Sequence, residues 1–233
     1  MNKTTRNYVF AAGLFLLFAV FTFMVAKVDV KSVLVTNIAD AEAQKESISI
    51  GFASINEAVR DCFAFNKTWY TITKLTGAVA ILFAGLFALL GLAQLVKGKS
   101  LAKVDKDIYA LAITYLVVVI LYVIFEKLEV NFRPVDLGEG LEASYPSTHT
   151  MLALSIFGTA MIQFKNRLKN GNIRLAAQIL TAVLLAVTVV GRLISGVHWF
   201  TDIIGGIILG GAIIMLYYAM QYSIEVKRRN GEK

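Results

Sequence analysis

The 233-residue chain has one cysteine, two prolines and two histidines, and only 17% of its residues are charged. A lone cysteine, Cys62, excludes an intramolecular disulfide framework and any zinc or iron–sulfur site built from cysteines, so catalysis here must use other groups. The scarcity of charge, with 57% hydrophobic residues and a mean hydropathy of +0.67, excludes a soluble domain of this size. Internal repeats and low-complexity linkers are also lacking, so residues 1–233 read as one membrane-embedded domain. The net charge of +7 admits a nucleic-acid partner on its face, but the basic residues sit in short loops between apolar runs. That pattern belongs to membrane topology, and no nucleic-acid partner is expected.

What the chain does have is six apolar stretches, predicting spans at about 8–26, 70–96, 108–125, 148–164, 175–193 and 203–222. Each comes near the roughly 20 residues that a helix rising 1.5 Å per residue needs to cross about 30 Å of hydrocarbon. The expected fold is therefore an all-α integral membrane bundle of six transmembrane helices. Lys3 and Arg6 ahead of the first stretch resemble the start of a signal peptide. Its 19 residues exceed the usual signal core, however, and the nearest small-x-small sites, Ala39-Asp-Ala41 and Ala41-Glu-Ala43, lie well past its end, so it is expected to be retained.

With six spans, the N-terminus, the loops 97–107 and 165–174 and the C-terminal tail share one side. They carry 14 basic against 4 acidic residues, leaving 9 basic and 12 acidic for the remainder. The positive-inside bias puts both termini in the cytoplasm of a multi-pass plasma-membrane protein. Residues 27–69, 126–145 and the turn around 195–202 then face outside. Within the first of these, Ile48, Phe52, Ile55, Val59, Cys62 and Phe63 recur at helical spacing with Glu57, Arg60 and Asp61 between them. An outer amphipathic helix between the first two spans is expected, packed over the bundle or lying on the leaflet as a lid. Glycines recur in the spans, and Gly206-x-x-x-Gly210 fits close helix packing. No lysine–serine or lysine–threonine pair follows any of them, as a phosphate-cradling nucleotide loop requires.

Counting from the cytoplasmic loops gives each polar residue a height. His149 is 16 residues from Lys165, Arg192 is 18 from Arg174 and Lys127 is 20 from Asp107. At 1.5 Å per residue these distances are about 24, 27 and 30 Å, so three helices deliver ionisable groups to the outer boundary of the hydrocarbon. Such groups are costly in a membrane and normally face the bundle interior or a wet cavity. Both histidines and both prolines, Pro134 and Pro146, belong to these outer segments.

The stretch 191–202, GRLISGVHWFTD, ends a long apolar run with Arg192, His198 and Asp202. Four residues apart, His198 and Asp202 share a helix face, where the carboxylate fixes the imidazole tautomer and makes the other nitrogen a better base, nucleophile or ligand. Gly196 is expected to break the preceding helix into a turn. A structural His–Asp pair with a snorkelling arginine accounts for this triplet equally well. In Pro146-Ser147-Thr148-His149, Ser147 is a natural helix cap and the amides of Thr148 and His149 point outward from a helix start, where anions are stabilised. Lys127 and Arg133, alone, read as interfacial anchors. Together with Arg192, the helix-opening amides and two histidines they form an anion site with a nucleophile and an acid, which phosphoryl transfer fits best.

Arg192 with five residues to His198 and three more to Asp202, the sequence Pro146-Ser147-Thr148-His149, and Arg133-Pro134 resemble the three signatures of the type 2 phosphatidic acid phosphatases, or lipid phosphate phosphatases. The resemblance implies a six-helix core, His198 as a nucleophile that forms a phosphohistidine, and Asp202 orienting it. It further implies His149 as the acid for the leaving group and later the base for water, with Arg133, Arg192, Ser147 and the Thr148 amide holding phosphoryl oxygens. No metal or other cofactor is implied, and the expected partner is a lipid phosphate of the bilayer. Gly191 stands where the family usually has serine and Thr148 where it usually has glycine; neither change removes a catalytic group. In the first signature the lysine register falls on Glu126, with Lys127 one step closer. Either a small backbone adjustment brings Lys127 to the phosphate, or the site loses one cation.

Three functions follow in order. The first is dephosphorylation of phosphatidic acid, phosphatidylglycerol phosphate or undecaprenyl pyrophosphate at the outer face, or transfer of that phosphoryl group to another lipid. The second is a metal-dependent hydrolase with His149, His198 and Asp202 as ligands, opposed by the surrounding cations. The third is a non-catalytic lipid-phosphate binding or transport protein.

Overall fold

A computed structural model describes residues 1–39 and 46–231. The small-x-small sites at 39–43 and the tail charges Glu232 and Lys233 fall wholly or partly outside these residues. Among the described residues are seven α-helices: α1 (Lys3–Lys27), α2 (Ala53–Cys62), α3 (Lys67–Gly98), α4 (Lys106–Leu128), α5 (Thr148–Arg167), α6 (Gly171–Ile194) and α7 (Phe200–Gly231). Five of them, α1, α3, α4, α6 and α7, are long and apolar enough to cross a membrane, and the chain is a multi-pass membrane protein. Their outward faces are rows of exposed aliphatic residues, such as Leu75, Leu82, Leu86 and Leu89 on α3.

The twenty-residue α5 is less apolar for a structural reason. It packs against α3, α4, α6 and α7, and nine of its residues are buried, including Thr150, Ser155, Thr159 and Gln163. A central helix touches other helices rather than lipid, so polar side chains are admissible where partners exist. Thr159 donates to the carbonyl of Ser155 at 2.7 Å and meets the Tyr115 hydroxyl at 3.1 Å; across α3 and α6, Thr188 donates to Thr76 at 2.7 Å. Inter-helix hydrogen bonds of this kind contribute about 0.6 kcal/mol each in membranes, so close packing must supply the rest. Glycine makes that packing: a Cβ on Gly210 would stand 2.5 Å from Leu154, and one on Gly206 would stand 2.8 Å from the Ser147 carbonyl, so α7 lies directly against α5. The packing expected of Gly206-x-x-x-Gly210 is what is seen.

Two sequence expectations are corrected. The chain is not all-α: β1 (Lys31–Leu34) pairs antiparallel with β3 (Ser47–Ile50), and β2 (Thr36–Asn37) pairs parallel with β4 (Val135–Asp136). These strands are two to four residues long, too short for periodicity to announce them. The expected amphipathic helix also begins later, and of its expected apolar stripe Phe52, Val59 and Phe63 are half-buried while Ile55 and Cys62 are exposed. Ile48 belongs to β3, where it is buried, and α2 runs only from Ala53 to Cys62. Its buried residues are Ala53 and Asn56. Polar partners decide this orientation. Asn56 donates to Gly51 O and Thr201 Oγ1, both at 2.9 Å, and accepts from Thr201 N at 3.1 Å. The Arg60 guanidinium lies 5.6 Å from the centre of the Trp199 ring. The start of α2 is capped in turn by Asp29, which accepts from Ser54 N at 2.7 Å and whose carboxyl is held below its ordinary range chiefly by that bond.

Candidate active site

The last turn of α6 and the first of α7 are joined by residues 195–199, and this connection carries His198. Ser195 closes α6, its N–H bonded to the Gly191 carbonyl at 2.8 Å. Gly196 then takes φ +68°, and a Cβ there would meet Phe63 O and Ala64 at 2.8 to 2.9 Å. Conformation and space both require glycine, so the expected helix break falls where the sequence put it. His198 therefore precedes α7 rather than lying on it, a correction to the shared-helix-face reading. The His–Asp pair survives through a capping interaction: Asp202, in the first turn, reaches back to accept from Trp199 N at 2.9 Å, which brings its Oδ2 within 3.6 Å of His198 Nδ1. Asn131 Nδ2 lies 3.3 Å from the other oxygen, Oδ1.

The start of α5 is tied to the same turn. Ser147 N donates to the Asp202 carbonyl at 2.9 Å, and Ser147 Oγ accepts from Thr150 N at 3.4 Å as the expected cap. Thr148 and His149 follow on the first turn. His149 lies against α3, where a Cβ on Gly77 would sit 3.0 Å from its Cδ2, so glycine there makes room for the ring. Its Nδ1 is 2.7 Å from Arg192 Nη2. A guanidinium only donates, so Nδ1 accepts and the neutral ring carries its proton on Nε2.

Arg192, 1% exposed, is shared among three neighbours. Besides His149, it donates from Nη1 to Thr73 Oγ1 at 3.3 Å and places Cζ 5.4 Å from the centre of the Tyr70 ring. Gly191 permits this approach: a Cβ would stand 2.7 Å from Thr73 and 2.9 Å from Trp69.

Arg133 comes from the loop between α4 and α5, which folds back on itself through Arg133 N to Glu142 O at 3.0 Å and Ser144 N to Asn131 O at 2.8 Å. The Arg133 guanidinium is ion-paired with the Glu142 carboxylate, and its charge is felt at His149, Arg192, His198 and Asp202. Trp199 Nε1 bonds Phe132 O at 2.8 Å and locks this loop to the His198 turn.

His198 is buried with neither ring nitrogen hydrogen-bonded, and Nε of Arg192 and Nε of Arg133 are likewise buried and without a partner among the described residues. Burial first, then the charges of Arg192 and Arg133 and the neighbouring His149, hold the His198 pKa well below its ordinary value. The ring is therefore neutral near pH 7, with a lone pair available. Among the described residues no three His, Cys, Asp or Glu side chains gather as a metal ion needs.

Seven of the eight site residues expected from sequence, His149, His198, Asp202, Arg133, Arg192, Ser147 and Thr148, are thus drawn into one cluster. The eighth is not. Lys127 is exposed in the last turn of α4, as is Glu126, and no hydrogen bond or ion pair links either to the cluster among the described residues. Sequence reasoning missed Tyr70, Thr73 and Lys74 of α3, and Asn56, Asn131 and Glu142. Lys74 had a signal, being the only charged residue between 70 and 96. Asn56 and Asn131 had none, because they act through contacts distant in the chain.

The sequence profile of the PAP2 superfamily matches residues 76–225. The fold is similar to that of a solved structure described as the first transmembrane PAP2-type phosphatidylglycerolphosphate phosphatase from Bacillus subtilis, with a TM-score of 0.59 and 19% identity, covering 92% of this chain and 96% of that one. No curated protein sequence matches the chain.

Proposed function

The chain belongs to the PAP2 superfamily, and on that premise we propose that it dephosphorylates a lipid phosphate or lipid pyrophosphate at the outer face of the plasma membrane, through a phosphohistidine on His198. In this reading α1, α3, α4, α5, α6 and α7 are six spans with both termini in the cytoplasm. The strands, α2, the loop between α4 and α5 and the His198 turn then lie together on the outer side.

The observation that carries the proposal is that His198, and the Arg192 and Arg133 whose charges act on it, each keep a buried nitrogen without a partner among the described residues. Unsatisfied buried donors cost on the order of 1–3 kcal/mol each, and a tetrahedral oxyanion is the ligand that three cationic or imidazole edges satisfy at once. His198 Nε2 attacks phosphorus while the bond to the leaving oxygen breaks; a P–N bond forms, and the positive ring is stabilised by Asp202 at Nδ1. The leaving group, a lipid alkoxide from a monoester or a lipid phosphate from a pyrophosphate, takes a proton from His149. For that, His149 needs a second proton, on Nδ1 where Arg192 now donates, taken from solvent before the first turnover and from the attacking water in each later one. A phosphoryl oxygen that draws Arg192 toward itself releases Nδ1 and so couples substrate binding to the acid. In the second half His149 takes a proton from water, oxygen bonds to phosphorus and the P–N bond breaks, giving inorganic phosphate.

Phosphatidylglycerol phosphate comes first among the substrates, because the B. subtilis structure of the same fold is named for its action on it; phosphatidic acid and undecaprenyl pyrophosphate follow. Incubation with radiolabelled lipid phosphate and rapid quenching should leave an alkali-stable, acid-labile label on the protein, absent from His198→Ala. A label that persists in that variant, or catalysis that ends on exhaustive chelation, would overturn the mechanism in favour of the metal-dependent reading.

A further inference from the structure

We infer that Lys74 of α3, rather than Lys127 at the end of α4, supplies the additional cation that grips the phosphoryl group. The inference rests on the proposed phosphatase site and names a residue of it that no signature contains.

The face of α3 toward the site carries Thr73 and Gly77, one bonded to Arg192 and the other against the His149 ring. Lys74 precedes Gly77 by three residues, which sets the two on neighbouring turns of one face. Helical side chains lean toward the N-terminus, so the Lys74 ammonium is carried back over Tyr70, 5.3 Å from the ring centre. The same ring sits 5.4 Å from Arg192 Cζ. Tyr70 thus has both Lys74 and Arg192 against its ring, two cations that repel each other. Tyr70 draws each of them without neutralising either. The Lys74 charge also reaches His149, alongside those of Arg192 and Arg133. Lys74 has an exposed side chain and is the only charged residue between 70 and 96, so it stands where a phosphate head group arriving from the lipid would pass.

The alternative occupant, Lys127, sits in the last turn of α4, exposed and outside the cluster. Glu126 beside it adds a charge of the wrong sign. A lysine on α3 can replace the missing cation because an ammonium grips phosphate as a point charge, without the geometry that an arginine fork demands.

The test compares Lys74→Gln, Lys74→Arg and Lys127→Gln in detergent, by phosphate release from phosphatidylglycerol phosphate and by orthovanadate binding followed by tryptophan fluorescence. Loss of one charge-assisted contact predicts that Lys74→Gln weakens orthovanadate binding and raises KM about tenfold or more. Lys74→Arg should restore most of both, and Lys127→Gln should have the smaller effect. A merely interfacial Lys74 would lower thermal stability without moving the orthovanadate affinity, and that result overturns the inference. So does a larger effect from Lys127→Gln than from Lys74→Gln. If the wild type neither binds orthovanadate nor releases phosphate, the phosphatase reading itself falls, a different outcome from an active wild type matched by Lys74→Gln.

Discussion

His198 and Arg192 show how single residues are tuned here by burial. Arg192 keeps its charge inside the protein because Thr73, His149 and the face of Tyr70 surround it. His198 gives its charge up. Its ordinary value is 6.5, and burial beside Arg192, Arg133 and His149 keeps the folded ring unprotonated well below that. The unfolded chain binds a proton there as pH drops through 6.5 and the folded protein does not, so stability from this group is present above that pH and is lost as pH falls. Apparent Tm in detergent between pH 8 and pH 5 should therefore decline below about pH 6.5 in the wild type and less steeply in His198→Asn. Parallel curves would show that His198 titrates normally. At this scale the sequence was informative where chemistry is local: Ser147 as a cap, Gly196 as a break and the four-residue spacing of His198 and Asp202 were all legible. The capping geometry through Trp199 N was not, because it depends on where α7 starts.

Between α5 and α7 the site depends on contact without side chains. Gly206 admits the Ser147 carbonyl, and the neighbouring bond from Ser147 N to the Asp202 carbonyl holds His149 and His198 in register. A Cβ on Gly206 would stand 2.8 Å from that carbonyl and 2.9 Å from Thr150 Cβ, whereas nothing lies within 4 Å of one on Gly211. Gly206→Ala is expected to cost about 1–3 kcal/mol through overpacking and to lower phosphate release. Gly211→Ala, on the same helix, should match the wild type in both thermal unfolding and activity; equal losses in the two would contradict the packing account. Hydropathy made the long helices legible, since lipid-facing rows of leucine and isoleucine are what it measures. Its periodicity announced a helix near α2 but not the role of Asn56, whose hydrogen bonds to Gly51 and Thr201 help to dock it. It misjudged Lys127, which is exposed and has no hydrogen bond or ion pair to the cluster among the described residues; depth counting addresses the layer and leaves the direction open.

For the whole molecule, the charge asymmetry and the clustering of the site predict one orientation, with α2 and the His198 turn outside and the tail of α7 inside. The single cysteine offers a direct check, since Cys62 is exposed on α2. A membrane-impermeant maleimide should label it in intact cells, while a cysteine introduced at Asn230 in a Cys62→Ser background should react only after permeabilisation. The reverse pattern would place the site on the cytoplasmic side. The central claim, that this bundle is a lipid phosphatase working through His198, is tested most directly by one measurement: inorganic phosphate released from phosphatidylglycerol phosphate, phosphatidic acid and undecaprenyl pyrophosphate by purified wild type and His198→Ala in parallel. The account predicts release from at least one lipid, reduced on the order of 10³-fold or more in the variant; equal rates for the two proteins, or a wild type inert on all three lipids, would contradict it.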